Sequence, residues 1–332
     1  TSYRFAQKVI RIEPMATRSP RYDRDLQKFL DDNPEVGRTS LGPRDIGPLR
    51  EAFVSEGGDA LIAGRELDLE DWTVVARDGS NIPVSTIRKK KSTSPKAALF
   101  HIHSGGMVAG DRFIGMQMVA DWVINHDMVC ATVDYRLSPE NQFPIPLHDC
   151  YDALTAFAGN LNEETPLVLV GMSAGGGLAA GLAQMALDTA GPNIAGQLLM
   201  CPMLDYRNSS VSSNQFQNLG LWDKGSNDTG WNAYLGDKRK SNSPPAYGSP
   251  SHRRDLRGLP STFLDSGALE VFRSEIISYG ESLAAADVPV ELHIWPGAFH
   301  GFDLAHPTAQ ISQEAIQSRE RWLLRLIERS IR

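Results

Sequence analysis

A chain of 332 residues with 41% hydrophobic side chains can bury a large core, and on an α/β plan it is expected to form one core with an inserted subdomain. Its 33 basic and 40 acidic residues leave a net charge of −7, with no basic stripe interleaved with aromatics of the kind that follows a phosphate backbone, which excludes nucleic acid as the expected partner. No run of about 18 uninterrupted apolar residues occurs, so no membrane span is encoded.

The N-terminal stretch to about residue 65 is polar and rich in Pro and Gly, with amphipathic pieces such as "RYDRDLQKFLDD". Its opening "TSYRFAQKVIRIEP" has no apolar core of a secretory signal, so a cytoplasmic location is expected. Strand-like runs follow at 72–76 and 82–87, and the basic run at 88–91 before "STSP" reads as a solvated loop. From about residue 97 the rhythm changes. Strand-like runs at 97–103, 128–135, 167–170, 197–201, 262–265 and 290–295 alternate with helical stretches at 114–125, 147–157, 174–187, 274–286 and 309–329. The last of these carries Ile311, Ala315, Trp322 and Leu326 on one face. Such alternation predicts an α/β fold with a mostly parallel sheet covered on both faces.

Residues 203–258, rich in Asn, Ser and Trp, break the rhythm. The expected division is a core of 66–202 and 259–332, with a cap assembled from 1–65 and 203–258. Cys130, Cys150 and Cys201 lack CxxC spacing and are expected to stay reduced.

Chemistry concentrates where "VLVGMSAGGGLAAGLA" turns from a buried strand into a helix. "GMSAG", residues 171–175, fits GxSxG in the strand–turn–helix context that makes Ser173 a nucleophile. A serine hydroxyl needs an imidazole to take its proton and a carboxylate to orient that imidazole. His300, in the Gly-flanked loop "WPGAFHGFD" after the last strand, stands where the chain order Ser, acid, His requires. His101 and His293 lie in strands, His126 ends a helix, and His148, His252 and His306 adjoin loops. The acid belongs in "FLDSGALEVFRSE": Glu270 falls in the loop, with Asp265 at the strand end as the alternative and Glu275 a turn into the next helix. "HSGG", residues 103–106, can bring the amides of Gly105 and Gly106 toward the reacting carbon, and the Ala174 amide completes an oxyanion hole. "HIHSGG" lacks the further ligands of an HxHxDH cluster, so no metal is expected, and no cofactor.

Four separated stretches, "FHIHSGGMVAGD", "DYRLSPENQFPIPLHDCYDAL", "GMSAGG" and "PGAFHGFD", resemble the hormone-sensitive-lipase-like family of α/β-hydrolases, the type IV carboxylesterases related to arylacetamide deacetylase. The resemblance implies the α/β-hydrolase fold, with a mostly parallel eight-stranded sheet flanked by helices and a helical cap. It aligns Glu270 of "EVFRSEIISY" with the catalytic acid and Tyr279 with a tyrosine of that block, and it gives Tyr135, Arg136 and Glu140 a bracing role under the site. Met172, Ser104 and Glu270 depart from the family's usual Asp, Gly and Asp.

The implied activity is a serine carboxylesterase working through an acyl-enzyme on small to medium apolar esters. The alternatives are a lactone hydrolase, because the likeness extends to monoterpene lactone hydrolases, and a non-catalytic receptor on the same fold, such as the gibberellin receptors, which lack the histidine that His300 supplies. Homodimerisation is compatible with the resemblance alone. Met172 beside the nucleophile and Phe216, Leu219, Leu221, Trp222 and Trp231 of the inserted segment are the expected pocket residues.

Overall fold

The structure, a computed structural model, describes residues 21–34, 36, 40–241 and 245–330, so residues 1–20 of the expected N-terminal cap segment lie outside it. Eight strands form one sheet: β1 (Leu67–Val75), β2 (Asn81–Lys89), β3 (Ala98–Ile102), β4 (Val129–Val133), β5 (Leu167–Met172), β6 (Gly196–Met200), β7 (Ser261–Leu269) and β8 (Val290–Phe299). Their order is β1-β2-β4-β3-β5-β6-β7-β8. β1 pairs antiparallel with β2 and β2 with β4, and every later pairing is parallel. All the strand-like runs read from the sequence are strands here. β3, β4, β5 and β6 are buried along their whole length, as parallel strands covered on both faces must be.

The five helical stretches are also present, as Met116–His126, Ile145–Ala158, Ala174–Asp188, Arg273–Ala285 and Gln310–Ser330. The helix Ala174–Asp188 is the most deeply set, because its small residues let other chain segments approach its axis. A Cβ on Gly177 would stand 2.1 Å from the Met203 carbonyl oxygen, and one on Gly181 2.4 Å from that of Tyr247. The C-terminal helix lays Ile311, Ala315 and Trp322 inward, with the Trp322 ring 5.8 Å from that of Phe263.

Outside the sheet lie helices Arg24–Asp32, Ile46–Ala52 and Gly57–Ile62 on the N-terminal side, and Val211–Gln215 and Lys224–Leu235 in the insertion. "RYDRDLQKFLDD" becomes the first of these, with the Asp23 carboxylate accepting from the Asp25 and Leu26 amides and Leu26 fully buried beside Phe299 and Phe302. The two segments meet each other: the Leu41 amide donates to Ser226 Oγ at 2.9 Å, the Thr229 hydroxyl to the Leu41 carbonyl at 2.6 Å, and the Ser40 hydroxyl to Asp223. They sit beside the carboxyl ends of β3, β5, β7 and β8. The connection from β3 runs to β4 on one side and that from β5 to β6 on the other, and such a switch point opens a crevice at that edge.

Candidate active site

β5 ends at Met172 and the next helix starts at Ala174, so the reversal falls on Ser173, at φ 56° and ψ −119°. That conformation is strained for a side-chain-bearing residue and holds the hydroxyl out of the sheet. The flanking glycines are demanded by space. A Cβ on Gly171 would lie 2.3 Å from the Gly175 carbonyl oxygen, and one on Gly175 2.1 Å from that of Ile102.

Ser173 Oγ is 3.0 Å from His300 Nε2, and His300 Nδ1 is hydrogen-bonded to the Glu270 carboxylate. His300 arrives on the turn after β8, and Phe272 meets its ring edge-on at 5.1 Å. Glu270 follows the last residue of β7, its side chain wholly buried and its other oxygen accepting from the Ser266 hydroxyl. The loop that carries it is tied by Arg273, whose guanidinium donates to the Ala268 carbonyl at 2.7 Å. Asp265, the alternative, faces elsewhere: it accepts from Arg319 Nε at 2.8 Å and from Trp295 Nε1 at 3.2 Å. Glu275 accepts from the Leu204 and Asp205 amides at 2.8 and 3.2 Å, and burial pushes its carboxyl well above the usual range.

The "HSGG" loop crosses in front of Ser173. Gly105 and Gly106 have φ of 116° and 63°, and among the described residues neither their amides nor that of Ala174 donate to a protein acceptor. Tyr135 and Arg50 hold this loop and its continuation, and Arg136 anchors the segment that carries Tyr135. The Tyr135 hydroxyl donates to the His103 carbonyl at 3.1 Å, with the Tyr135 ring stacked 4.1 Å from the His103 imidazole. Arg136 is bonded to the buried Asp149 at 2.6 Å. Glu140 grips Arg50, whose guanidinium also donates to the carbonyls of Val108 and Ser138. Tyr279 lies under the adjoining helix, where its hydroxyl accepts from Gln184 at 3.3 Å.

Ser173 and His300 open into a cavity of about 420 Å³ lined by Leu41, Leu49, Phe53, Ser104, Gly105, Gly106, Met172, Leu221, Trp222, Gly301, Leu304 and Ala305. Of the expected pocket residues, Met172, Leu221 and Trp222 line it and Phe216, Leu219 and Trp231 do not. Trp231 is buried on the inner face of its helix against Tyr234, and Phe216 is buried under the Arg273 guanidinium at 5.9 Å, so both rings serve packing instead. Leu41, Leu49 and Phe53 went unrecognised because their segment shows no strand–helix rhythm. Leu304 had a usable signal, one helical turn after His300.

Among the described residues, Cys201, Glu270 and His300 are the one group of His, Cys and carboxylate atoms close enough to share an ion, within 4.8 Å. The imidazole and carboxylate already satisfy each other, and burial pushes the Cys201 thiol well above its usual range, against ligation as thiolate. His101 and His103 of "HIHSGG" are both held below the usual imidazole range by burial. All three cysteines are free and buried. No helix among the described residues is long and apolar enough to cross a membrane.

The arrangement can do nucleophilic acyl chemistry: a strained serine, an imidazole in reach of its proton, a carboxylate behind the imidazole and an apolar cavity in front. A sequence profile for the alpha/beta hydrolase fold matches residues 99–304. The chain is 31% identical over 293 residues to esterase LipI of Mycobacterium tuberculosis, covering 83% of this chain and 91% of that protein. It is 27% identical over 299 residues to arylacetamide deacetylase of Oryctolagus cuniculus, covering 70% of this chain and 75% of that one. Among solved structures, bacterial heroin esterase superimposes with a TM-score of 0.81 at 29% identity, over 94% of this chain and 98% of the other.

Proposed function

The chain belongs to the hormone-sensitive-lipase-like family of carboxylic ester hydrolases on the α/β-hydrolase fold, and from that premise we propose that it works through an acyl-enzyme formed on Ser173. His300 removes the Ser173 proton as the oxygen attacks the ester carbonyl, then returns it to the leaving alcohol. Glu270 fixes the imidazole tautomer and stabilises the imidazolium. The amides of Gly105, Gly106 and Ala174 take the developing oxyanion; the loss of one such donor costs roughly 3 kcal/mol. Water then repeats the sequence against the acyl-enzyme, with His300 again as base. The observation that carries this reading is the continuous hydrogen-bonded line from Ser173 Oγ through His300 to Glu270 at the floor of an apolar cavity.

Small to medium apolar esters suit that cavity, and a lactone would use the same machinery. Residues 1–65 and 203–258 act as one cap over the 66–202 and 259–332 core, a division supported by the Leu41 and Phe53 contacts to the cavity from one segment and the Leu221 and Trp222 contacts from the other. The receptor alternative is disfavoured by His300, which stands within hydrogen-bond reach of Ser173.

The test is hydrolysis of a panel of esters and lactones by the wild type and Ser173→Ala, with fluorophosphonate labelling of both. We expect one label per wild-type chain, none on the variant, and a loss of about 10⁴-fold or more in kcat. A variant retaining a tenth of the activity would remove Ser173 from the role.

A further inference from the structure

A second cavity, of about 550 Å³, runs between helices Met116–His126 and Gln310–Ser330. It shares Met172 and Leu304 with the cavity that holds Ser173, so these two side chains are the wall between them. The wall is thin and adaptable. Methionine has three rotatable side-chain bonds and fits many shapes, whereas an aspartate there would set a fixed charge on the path.

The floor beyond Met172 holds buried acceptors, and the amide side chains of Gln117, Asn125, Gln313 and Gln317 line the rest of the space. His101, 2% exposed, is bonded through Nδ1 to Thr132 Oγ1 at 2.9 Å, and the Thr132 hydroxyl spends its own proton on the Arg112 carbonyl at 2.6 Å. Nδ1 is therefore the protonated nitrogen, and Nε2 is left as a bare acceptor beside Gly115 in the cavity wall. Asp303, 7% exposed, also lines the cavity. One of its oxygens accepts from Arg319, and the other is buried beneath the cavity surface without a partner among the described residues. Asp121 and Glu320 stand on the two helices, paired outward with Arg65 and His126. Among the described residues no Lys or Arg side chain lines the space. Between the floor and Ser173 the surface is apolar, from Met172, Met200, Trp122 and Leu304.

We propose that this cavity is a second arm of the substrate site. It takes an ester whose acyl or alcohol chain passes Met172 as an apolar stem and ends in a hydrogen-bond donor, an ammonium above all. The inference rests on the esterase reading of Ser173, His300 and Glu270.

Its test compares kcat/KM of the full chain for p-nitrophenyl butyrate, octanoate, ω-aminooctanoate and the suberate monoester, together with butyrate esters carrying the same three long ends on the alcohol side. In one of the two series the ammonium end should exceed the carboxylate end by about tenfold or more, the scale of one charge interaction in a half-exposed cavity. Gln317 is an exposed helix position on the cavity rim, so substitutions there do not endanger the fold. Gln317→Lys should shrink that preference and Gln317→Glu should enlarge it. Ile316→Trp, which fills the space, should lower the ratio of octanoate to butyrate turnover about tenfold.

Equal rates for ammonium and carboxylate ends in both series, or a preference that Gln317→Lys leaves untouched, would overturn the inference. If butyrate turnover is lost in Ser173→Ala while chain ends make no difference, the inference alone fails. If the wild type turns over no butyrate, the esterase reading fails and the inference with it.

Discussion

Two buried carboxylates leave the carboxyl end of β7, and they are wired in opposite ways. Asp265, within the strand, shares Arg319 with Asp303, and all three side chains are at most 5% exposed. Burial raises the Asp265 carboxyl above its usual range against the pull of the guanidinium. Glu270, just beyond the strand, forms no ion pair with an Arg or Lys among the described residues; its partners are the Ser266 hydroxyl and the His300 imidazole. A permanent cation satisfies the first carboxylate and leaves it nothing to offer a transient charge. The second is satisfied fully only when His300 becomes an imidazolium. One buried acid is claimed by a fixed charge and the other is left to an imidazole, and only the second arrangement leaves a carboxylate free to answer a transient charge.

That contrast breaks most visibly under isosteric amides. Glu270→Gln should lower kcat by about 10³- to 10⁴-fold, because the tautomer and charge of His300 lose their anchor, while the melting temperature shifts little. Asp265→Asn should do the reverse. Leaving Arg319 buried with one partner fewer costs about 3–5 kcal/mol and should show as a drop in the urea midpoint, with kcat kept within a few-fold. A folded Asp265→Asn protein without activity, beside an active Glu270→Gln protein, would exchange the two roles.

His101 sharpens the comparison with a buried base that has no counter-charge. Burial moves its pKa from the usual 6.5 down to about 3. Above pH 6.5 the imidazole is neutral in both folded and unfolded chains, and its contribution to stability is fully present. As the pH falls below 6.5 toward 3, the unfolded chain takes up a proton that the folded one refuses, and stability is lost. Urea unfolding at neutral pH and at about pH 4 should therefore differ less in His101→Asn than in the wild type, by up to about 3 kcal/mol at roughly 1.4 kcal/mol per pH unit. Identical pH dependence in the two proteins would count against a neutral His101.

The smallest expected effect belongs to Ser266. Ser266→Ala removes one hydrogen bond to a charged acceptor, worth about 1.5–3 kcal/mol, so kcat should fall roughly 10- to 100-fold. Full activity in Ser266→Ala would mean that His300 alone positions Glu270.

Much of this was legible beforehand because it depends on local pattern. The parallel strands read as continuous apolar runs since both their faces are covered, and Ser173 and His300 sit at turns marked by glycines, required by space at Gly171 and Gly175 and by a left-handed backbone at Gly301. The contrast between Glu270 and Asp265 was only half legible: the loop position favoured Glu270 as the acid, but the pairing of Asp265 with Arg319, 54 residues away in sequence, has no local signal. The pocket was least legible. Trp231 and Phe216 have the composition of a lining, yet burial is set by which side of a short helix or loop faces the core. Leu41 reaches the cavity through hydrogen bonds to residues nearly two hundred positions away, and Phe53 by packing against a cluster that holds Val108, Ala109 and Ala233, neither of which any periodicity announces.

The close seating of Trp222 on Gly106 has a consequence for laboratory evolution. A Cβ at position 106 would meet the indole at 2.3 Å, on a backbone whose φ of 63° already disfavours side chains. A library randomised at position 106 alone would return almost nothing but inactive clones. Randomised jointly with position 222 it samples a different landscape, in which a smaller residue in place of the indole makes room before the loop residue changes, and the order of the two substitutions governs which lineages survive.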